Sequence, residues 1–309
     1  MSDKNKILAP IALFVYNRPE HTRKTVEALQ KNLLAKESEL FIFSDGPKNE
    51  SDSIKVQEVR NYLKTISGFK SVKIIERDKN LGLANSIISG VTDIVNRFGR
   101  IIVLEDDMIS SPYFLRFMNE ALDLYGNEEK VISIHAYTYP TKQKLPETFF
   151  LKGADCWGWA TWKRGWDMFE SDGQKLLDEL QKRKLTREFD YNNSYRFSET
   201  LHKQAQGMKD SWAIRWYASA FLSDRLTLYP GKSLIKNIGF DGSGVHSGFS
   251  NIYDIKNLGM NISLKMIETT EDKKSKKAIE KYFRSVNMKI LKRLFWKISS
   301  LRKLIFGAN

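Results

Sequence analysis

The sequence predicts an α/β fold in which helices flank a mostly parallel sheet. Over the first 125 residues, short apolar runs alternate with segments of helical spacing in the order β-α-β-α-β-α-β-α. Such alternation is typical of a parallel sheet covered by helices. Three of the apolar runs end in polar clusters, and the carboxyl ends of parallel strands are where open α/β sheets bind ligands. These two observations predict that candidate ligand-binding residues gather along one edge of the sheet.

The elements of this first half follow in regular order. We predict strands over residues 11–16, 40–44, 72–76 and 101–104, and helices over 21–32, 53–65, 83–98 and 112–125. The strand segments are nearly continuous apolar runs, as expected for strands buried on both faces. The helical segments repeat apolar residues at three-to-four spacing. Pro19 suits a turn or the first position of the first helix.

The second half is less regular. We predict strands at 131–135 and 226–229, helical segments over 174–206 and 209–222, and a glycine-rich loop over 237–250.

Composition limits the class of protein. The chain has 309 residues, of which 41% are hydrophobic, so it can bury a sizeable core. Its one cysteine, Cys156, excludes an intramolecular disulfide and fits a reducing compartment. No stretch reaches about 18 apolar residues, so we predict no transmembrane helix and a cytoplasmic protein.

The positive charge is concentrated near the end of the chain. Of a net charge of +13, residues 273–309 carry +11, from twelve Lys or Arg and one acid, which leaves about +2 for the first 272 residues. Apolar residues recur on one face of 288–306, opposite a basic face, which is typical of a helix on an anionic membrane surface. We therefore predict a basic amphipathic helical tail over 272–309 that binds membrane through 273–306. The alternative is a helix packed on the rest of the protein with a solvated basic side.

Three carboxylates end the strand at 101–104. Glu105, Asp106 and Asp107 follow an apolar run, and adjacent anions repel one another unless a cation or hydrogen-bond donors are present. Carboxylate oxygens suit Mg²⁺ or Mn²⁺, so the triplet indicates a metal-assisted site for a phosphorylated ligand. The alternative is a strand that runs into an acidic surface turn.

A series of motifs along the chain supports the prediction of a site for a phosphorylated ligand. They are FVYNRPEHTRKTVEAL at 14–29, SDG at 44–46, RDKNLGLANSI at 77–87, VLEDDMISSPYFLRFM at 103–118, CWGWATW at 156–162, DSW at 210–212 and the glycine-rich loop ending in His246. With these motifs the chain resembles bacterial glycosyltransferases of the GT-A fold. It is most similar to those related to the eukaryotic N-acetylglucosaminyltransferase that starts hybrid and complex N-glycans. The resemblance implies a catalytic domain over 1–271, with a nucleotide-binding half at 1–125 and an acceptor-binding half at 126–271.

The resemblance assigns four residues to the nucleotide. Arg18 would contact the nucleotide or its diphosphate, with a helix-cap or surface role as the alternative. Asp45 would hydrogen-bond the base, although an Asp before Gly also stabilises a turn. Asn80 and Asn85 would approach the nucleotide or serve as turn and helix-cap residues.

The resemblance assigns the acids to the metal and the sugar. Asp107 would bind a divalent Mn²⁺ or Mg²⁺, while Glu105 and Asp106 would hold ribose and sugar hydroxyls. His246 would supply a second metal ligand or a phosphate contact, with Asp241 as a weaker candidate; the alternative is an exposed loop histidine.

The resemblance also implies a catalytic base. An inverting transferase needs a group that takes the proton from the acceptor hydroxyl, and Asp210 is the candidate. The eukaryotic motif has two acids directly before its tryptophan, whereas Ser211 stands before Trp212 here, so the assignment is open by one residue. The alternative makes Asp210 the N-cap of the following helix.

Four tryptophans lie between 157 and 166. Because aromatic faces stack on sugar C–H groups, we predict that Trp157 and Trp159 line the sugar or acceptor pocket and that Trp162 and Trp166 are structural.

The sequence thus predicts a metal-dependent, inverting glycosyltransferase. It would move a hexosyl or N-acetylhexosaminyl group from a nucleotide sugar, preferably a UDP-sugar, to a hydroxyl of a glycan or lipid-linked acceptor in bacterial surface polysaccharide biosynthesis. It would lie at the inner face of the cell membrane. One alternative is a non-enzymatic basic protein that binds membrane or nucleic acid, but the nearly neutral first 272 residues disfavour a nucleic-acid groove. Another is a sugar-nucleotide nucleotidyltransferase, which would usually carry a glycine-rich basic loop where Tyr16 to Pro19 stands.

Overall fold

An eight-stranded sheet organises the computed structural model, which describes residues 7–243 and 250–288. The strands are β1 (Ile11–Val15), β2 (Glu39–Ser44), β3 (Ser71–Glu76), β4 (Arg100–Glu105), β5 (Met108–Ser110), β6 (Val131–His135), β7 (Thr148–Lys152), β8 (Trp159–Trp162), β9 (Leu226–Pro230) and β10 (Ile235–Asn237). The helices are α1 (Pro19–Gln30), α2 (Glu50–Leu63), α3 (Leu83–Phe98), α4 (Phe114–Leu124), α5 (Lys163–Trp166), α6 (Gly173–Lys182), α7 (Thr186–Phe189), α8 (Phe197–Ala205), α9 (Trp212–Leu222) and α10 (273–288).

The sheet has the order β3-β2-β1-β4-β8-β6-β9-β7. Strands β3, β2, β1 and β4 are parallel to one another, and so are β6 and β9. Strand β8 runs antiparallel to both β4 and β6, and β7 is antiparallel to β9. A separate antiparallel pair joins β10 to β5. The predicted α/β fold is confirmed, whereas the strands β5, β7, β8 and β10 were not predicted.

The central strands are apolar because both faces of the sheet are covered. All five residues of β1 are buried, and along it Leu13 packs into a cluster with α1 and α4 while Phe14 packs into a second cluster with α3. Pro19 is at the start of α1, where its missing N–H costs no hydrogen bond.

The register of the parallel strands positions the site. Val15 pairs with Ser44, and Phe14 pairs with Glu105. The segments that follow β1, β2 and β4 therefore leave the sheet side by side, which brings Arg18, Asp45 and the acids to one edge.

Helix α10 is part of the packed protein. Ile279 and Phe283 belong to a third apolar cluster with residues of β7, α6, α8 and α9, and they are 0% and 1% exposed. The buried Lys276 donates from Nζ to Glu271 at 2.9 Å. The predicted domain boundary at residue 272 thus lies inside the packed region, and the packed-helix alternative describes 273–288. Residues 289–306 lie outside the described residues, and no helix within those described is long and apolar enough to span a membrane.

Phe283→Ala is expected to lower the free energy of unfolding by about 3–5 kcal/mol, since it removes a buried ring and leaves a cavity. The Phe283 ring lies 4.8 Å from the rings of both Tyr139 and Tyr195, centroid to centroid. Urea denaturation measures the change. Met288→Ala is the matched control, because Met288 lies on the same helix and is 59% exposed. Equal stability of the Phe283 variant and the wild type would contradict this packing.

Candidate active site

The three acids lie next to Arg18 at the edge of the sheet. The Arg18 guanidinium donates from Nη2 to Asp106 Oδ1 and, at 2.9 Å, to Asp107 Oδ2, and from Nε to Asp106 Oδ2 at 3.3 Å. Asp106 and Asp107 are both buried. Arg18 therefore bridges β1 to the acids after β4 and compensates part of their charge.

This cluster has more negative than positive charge. Burial raises the pKa of Glu105 above its usual range, and the charges of Asp107 and Asp106 add to that rise. Burial also raises the pKa of Asp106, against the opposing effect of Arg18. Burial lowers the pKa of Arg18, but the two carboxylates more than offset this and hold it above its ordinary value. One guanidinium thus does not balance three carboxyl groups, and a further cation would stabilise their ionised forms.

One oxygen of Asp107 is available to such a cation. Asp107 Oδ1 is buried and has no hydrogen-bond partner among the described residues. The backbone at Gly239 packs closely against the same side chain, because a Cβ there would lie 2.1 Å from Asp107 Oδ2. An unpaired carboxylate oxygen is a hard ligand that fits Mg²⁺ or Mn²⁺.

The described residues contain no group of three His, Cys, Asp or Glu side chains arranged to hold a metal. Asp107 would therefore hold the ion with few protein ligands. The predicted second ligand, His246, lies outside the described residues. The carboxylate of the weaker candidate Asp241 lies 3.1 Å from His21 Nε2, a contact between the late loop and α1.

Asp45 fixes the loop that precedes α3. Its carboxylate accepts from the backbone N–H of Leu81 at 2.9 Å and of Gly82 at 3.0 Å. Asn80 Nδ2 in turn donates to the Gly46 carbonyl at 2.8 Å. In the structure Asp45 and Asn80 thus stabilise this turn, and their contacts with a nucleotide stay predictions.

Asn85 lies on the exposed first turn of α3. Its Nδ2 donates to the Leu81 carbonyl at 3.0 Å, and the N-cap of the helix is Gly82. The helix-cap alternative for Asn85 is therefore wrong, and its contact with a nucleotide stays a prediction.

A cavity of about 340 Å³ extends from the acids into the second half of the chain. Glu105, Asp107, Trp157 and Asp210 all line it. Its other aromatic walls are Tyr139, Tyr191, Tyr195, Phe197, Trp212, Tyr217, Tyr229, Phe240, Tyr253 and Phe283. The fold therefore brings together three groups of residues that are far apart in the sequence: the strand-end acids, one tryptophan and the candidate base.

Asp210 is exposed and accepts from Arg215 Nη2 at 3.2 Å. It does not cap the following helix: the N-cap of α9 is Ser211, whose Oγ accepts from the Ile214 N–H at 3.4 Å. The capping alternative for Asp210 is thus wrong. Its carboxylate is left facing solvent and the cavity.

Of the two tryptophans predicted to line the sugar or acceptor pocket, one does and the other does not. Trp157 borders the cavity, with its ring 5.4 Å from Phe240 and 5.5 Å from Tyr253. Trp159 does not line it: this side chain is 0% exposed and stacks on Trp212. Trp159 is buried because β8 lies between β4 and β6 in the sheet, and the side chains of β8 therefore point into the core on both faces. Trp162 is buried in the first cluster, as predicted for a structural residue, and so is Trp166 in the second.

Two polar residues of the cavity were not predicted. Tyr139 Oη donates to Asp155 Oδ2 at 2.9 Å, and both residues line the cavity. The available signal was an acid directly before the Cys-Trp-Gly motif.

A family model described as "Glycosyl transferase family 2" matches residues 11–198, while no curated protein matches. Among solved structures, the mannosyltransferase PcManGT from Pyrobaculum calidifontis, in complex with GDP-Man and Mn²⁺, is 11% identical over 45% of this chain, with a TM-score of 0.32. S. aureus TarS is 13% identical over 73%, with a TM-score of 0.37. A UDP-glucose pyrophosphorylase complexed with UDP-glucose is 11% identical over 72% of this chain and 90% of its own, also with a TM-score of 0.37.

The present chain covers 40% of the mannosyltransferase and 36% of TarS. The family match, in contrast, spans more than half of the present chain and includes Arg18, the three acids and Trp157. The chain therefore belongs to glycosyl transferase family 2.

Proposed function

We propose that the protein is a metal-dependent, inverting glycosyltransferase that uses a UDP-sugar. Its acceptor is a hydroxyl of a glycan or lipid-linked sugar in bacterial surface polysaccharide biosynthesis. Family membership makes it a nucleotide-sugar glycosyltransferase. The observation that supports the assignment of the catalytic residues is the cavity that links Glu105 and Asp107 to Asp210 and Trp157.

The acids would bind the donor. Asp107 would hold Mn²⁺ or Mg²⁺ through its unpaired oxygen, and the bound ion supplies positive charge against the charge that grows on the departing nucleotide diphosphate. Glu105, at the cavity wall, would accept from donor sugar hydroxyls. Arg18 donates to both Asp106 and Asp107 and would orient them, and it would also contact the nucleotide or its diphosphate. Asp106 would contact the ribose.

Asp210 would remove the proton from the acceptor hydroxyl as its oxygen attacks the anomeric carbon. The transition state has oxocarbenium character. The incoming oxygen must lose its proton, because it would otherwise become a positively charged oxonium as the bond to the anomeric carbon forms. An exposed carboxylate on the cavity wall is open to an acceptor that arrives from solvent. Trp157 would stack on a sugar face beside it.

Membrane association remains part of the proposal. The basic residues of 289–306 would contact the anionic inner face of the membrane, each contributing roughly 1 kcal/mol. This would bring the enzyme to a lipid-linked acceptor.

The test is donor hydrolysis, with water as the acceptor, across UDP-, GDP- and dTDP-sugars with and without Mn²⁺. We expect one UDP-sugar to be cleaved, and cleavage to stop on chelation with EDTA. Failure to bind or cleave any donor would exclude the proposed activity, and full cleavage in EDTA would exclude the metal.

A further inference from the structure

Asp155 is a second carboxylate of the cavity, and the roles assigned above leave it unused. It lies between β7 and β8, two residues before Trp157, and lines the same space as Glu105 and Asp107. At this position in the cavity wall, Asp155 can contact a bound ligand.

The Asp155 side chain is held in one orientation. Oδ1 accepts from the backbone N–H of Cys156 at 2.9 Å, and Oδ2 accepts from Tyr139 Oη at 2.9 Å. Burial, followed by the charge of Asp155, holds the pKa of Tyr139 well above its ordinary value, so that hydroxyl remains a donor. A carboxylate oxygen accepts two hydrogen bonds, so each oxygen of Asp155 keeps acceptor capacity after these contacts.

The residues that orient and surround Asp155 belong to the second half of the chain. Tyr139 packs against Phe283 of α10 at 4.8 Å and lies 6.4 Å from Tyr253. Tyr253 in turn packs against Trp157. Aromatic side chains thus surround the Asp155 carboxylate, a hydrogen-bond acceptor that is held in one orientation. Aromatic faces together with a carboxylate suit a sugar, which presents C–H faces and donating hydroxyls.

The lining of the cavity has more acids than bases. Its described part includes four acids, Glu105, Asp107, Asp155 and Asp210, and one Lys or Arg, Lys209. Arg18 and Arg215, which lie outside this lining, pair with Asp107 and Asp210. Asp155 has no such basic partner among the described residues and is the acid whose charge an acceptor would meet. An anionic acceptor would be repelled there, because like charges at short range raise the free energy of binding.

We propose that Asp155 binds hydroxyls of the acceptor sugar and makes the enzyme select uncharged acceptor sugars over uronic acids and sugar phosphates. This inference rests on the proposed function. The acceptor, rather than the donor, is favoured because Asp155 lies two residues before Trp157 and lines the cavity with it and with Asp210, the base that the proposed function assigns to the acceptor hydroxyl.

The test uses the full chain with Mn²⁺ and the donor found by the hydrolysis screen. Nucleotide release is measured with methyl glycosides of glucose, galactose, mannose and N-acetylglucosamine, and with methyl glucuronide and glucose 6-phosphate. We expect stimulation by at least one uncharged glycoside and none by the two anions. Preference for an anion would overturn the inference.

Asp155→Asn keeps the side-chain shape and the bond from Cys156 but loses the charge. We expect it to raise the acceptor KM by about 10-fold or more, with donor KM and hydrolysis in water unchanged. Tyr139→Phe, which removes only the hydroxyl that orients Asp155, should raise the acceptor KM less. Asp167→Asn, in the exposed turn that follows α5, is the control.

Three results would count against Asp155. An unchanged acceptor KM in Asp155→Asn would exclude the contact, and a raised donor KM would make it a donor contact. If Asp155→Asn does not fold, as judged by its thermal unfolding midpoint, an unchanged acceptor KM in Tyr139→Phe overturns the inference. A wild type that cleaves no donor, by contrast, overturns the proposed function itself.

Discussion

Asp107→Asn is expected to lower Mn²⁺-dependent donor cleavage by about 10²- to 10³-fold or more, the loss found when one charge-stabilising group is removed from a transition state. Asp107 is the acid whose Oδ1 is buried without a partner among the described residues, and its other oxygen bonds Arg18. The asparagine keeps an oxygen but loses the negative charge. It should therefore bind Mn²⁺ much more weakly.

Two measurements check this prediction. Hydrolysis of the donor gives the rate, and calorimetric titration with Mn²⁺ in the presence of UDP gives the affinity for the ion. Asp93→Asn is the control, because Asp93 is an exposed acid on α3 that pairs with Arg97 four residues on. Wild-type affinity for Mn²⁺ in the Asp107 variant would assign the metal to other residues.

Asp210→Asn is expected to lower transfer by about 10²- to 10⁴-fold, the range found for general bases, while donor binding is kept. The amide retains the size of the side chain but cannot accept the proton of the acceptor hydroxyl. Stability should change little. Asp210 is 59% exposed, and its pair with Arg215 contributes about 0–1 kcal/mol.

The experiment compares transfer to an acceptor with the dissociation constant of the donor. Asp167→Asn is the matched control, because its carboxylate is 53% exposed and pairs with Lys163. Loss of both transfer and donor binding would indicate a structural role for Asp210. Normal transfer would move the base to another acid.

The first half of the fold was predictable because its signals are local. Helix α3 begins and ends at the predicted residues, 83 and 98, since a repeating apolar stripe ends at Gly99. The strand β8 was missed for a different reason. The four residues Trp159–Trp162 (WATW) are a short buried strand, but the density of aromatic residues suggested a sugar pocket instead.

The site was predictable as far as strand order determines it. Acids that follow a buried parallel strand must lie at its carboxyl end, so Glu105, Asp106 and Asp107 are where the pattern indicated. The bond from Tyr139 to Asp155 was not predictable, because no sequence spacing specifies a contact between two loops. The hydrogen bonds from the Leu81 and Gly82 backbone to Asp45 were not predictable either, because they also join two separate loops. The roles of His246 and of residues 289–306 stay predictions.

Helix α10 affects how deletion experiments on this protein should be interpreted. The basic segment begins at residue 273, so a cut there would seem to remove a simple anchor. Such a cut would also remove Phe283, a wall of the cavity, and Lys276, the partner of Glu271. A shortened enzyme without activity would then say nothing about lipid, because its substrate chamber would have been opened to water. Only a deletion that starts after residue 288 can separate an effect on membrane binding from an effect on catalytic activity.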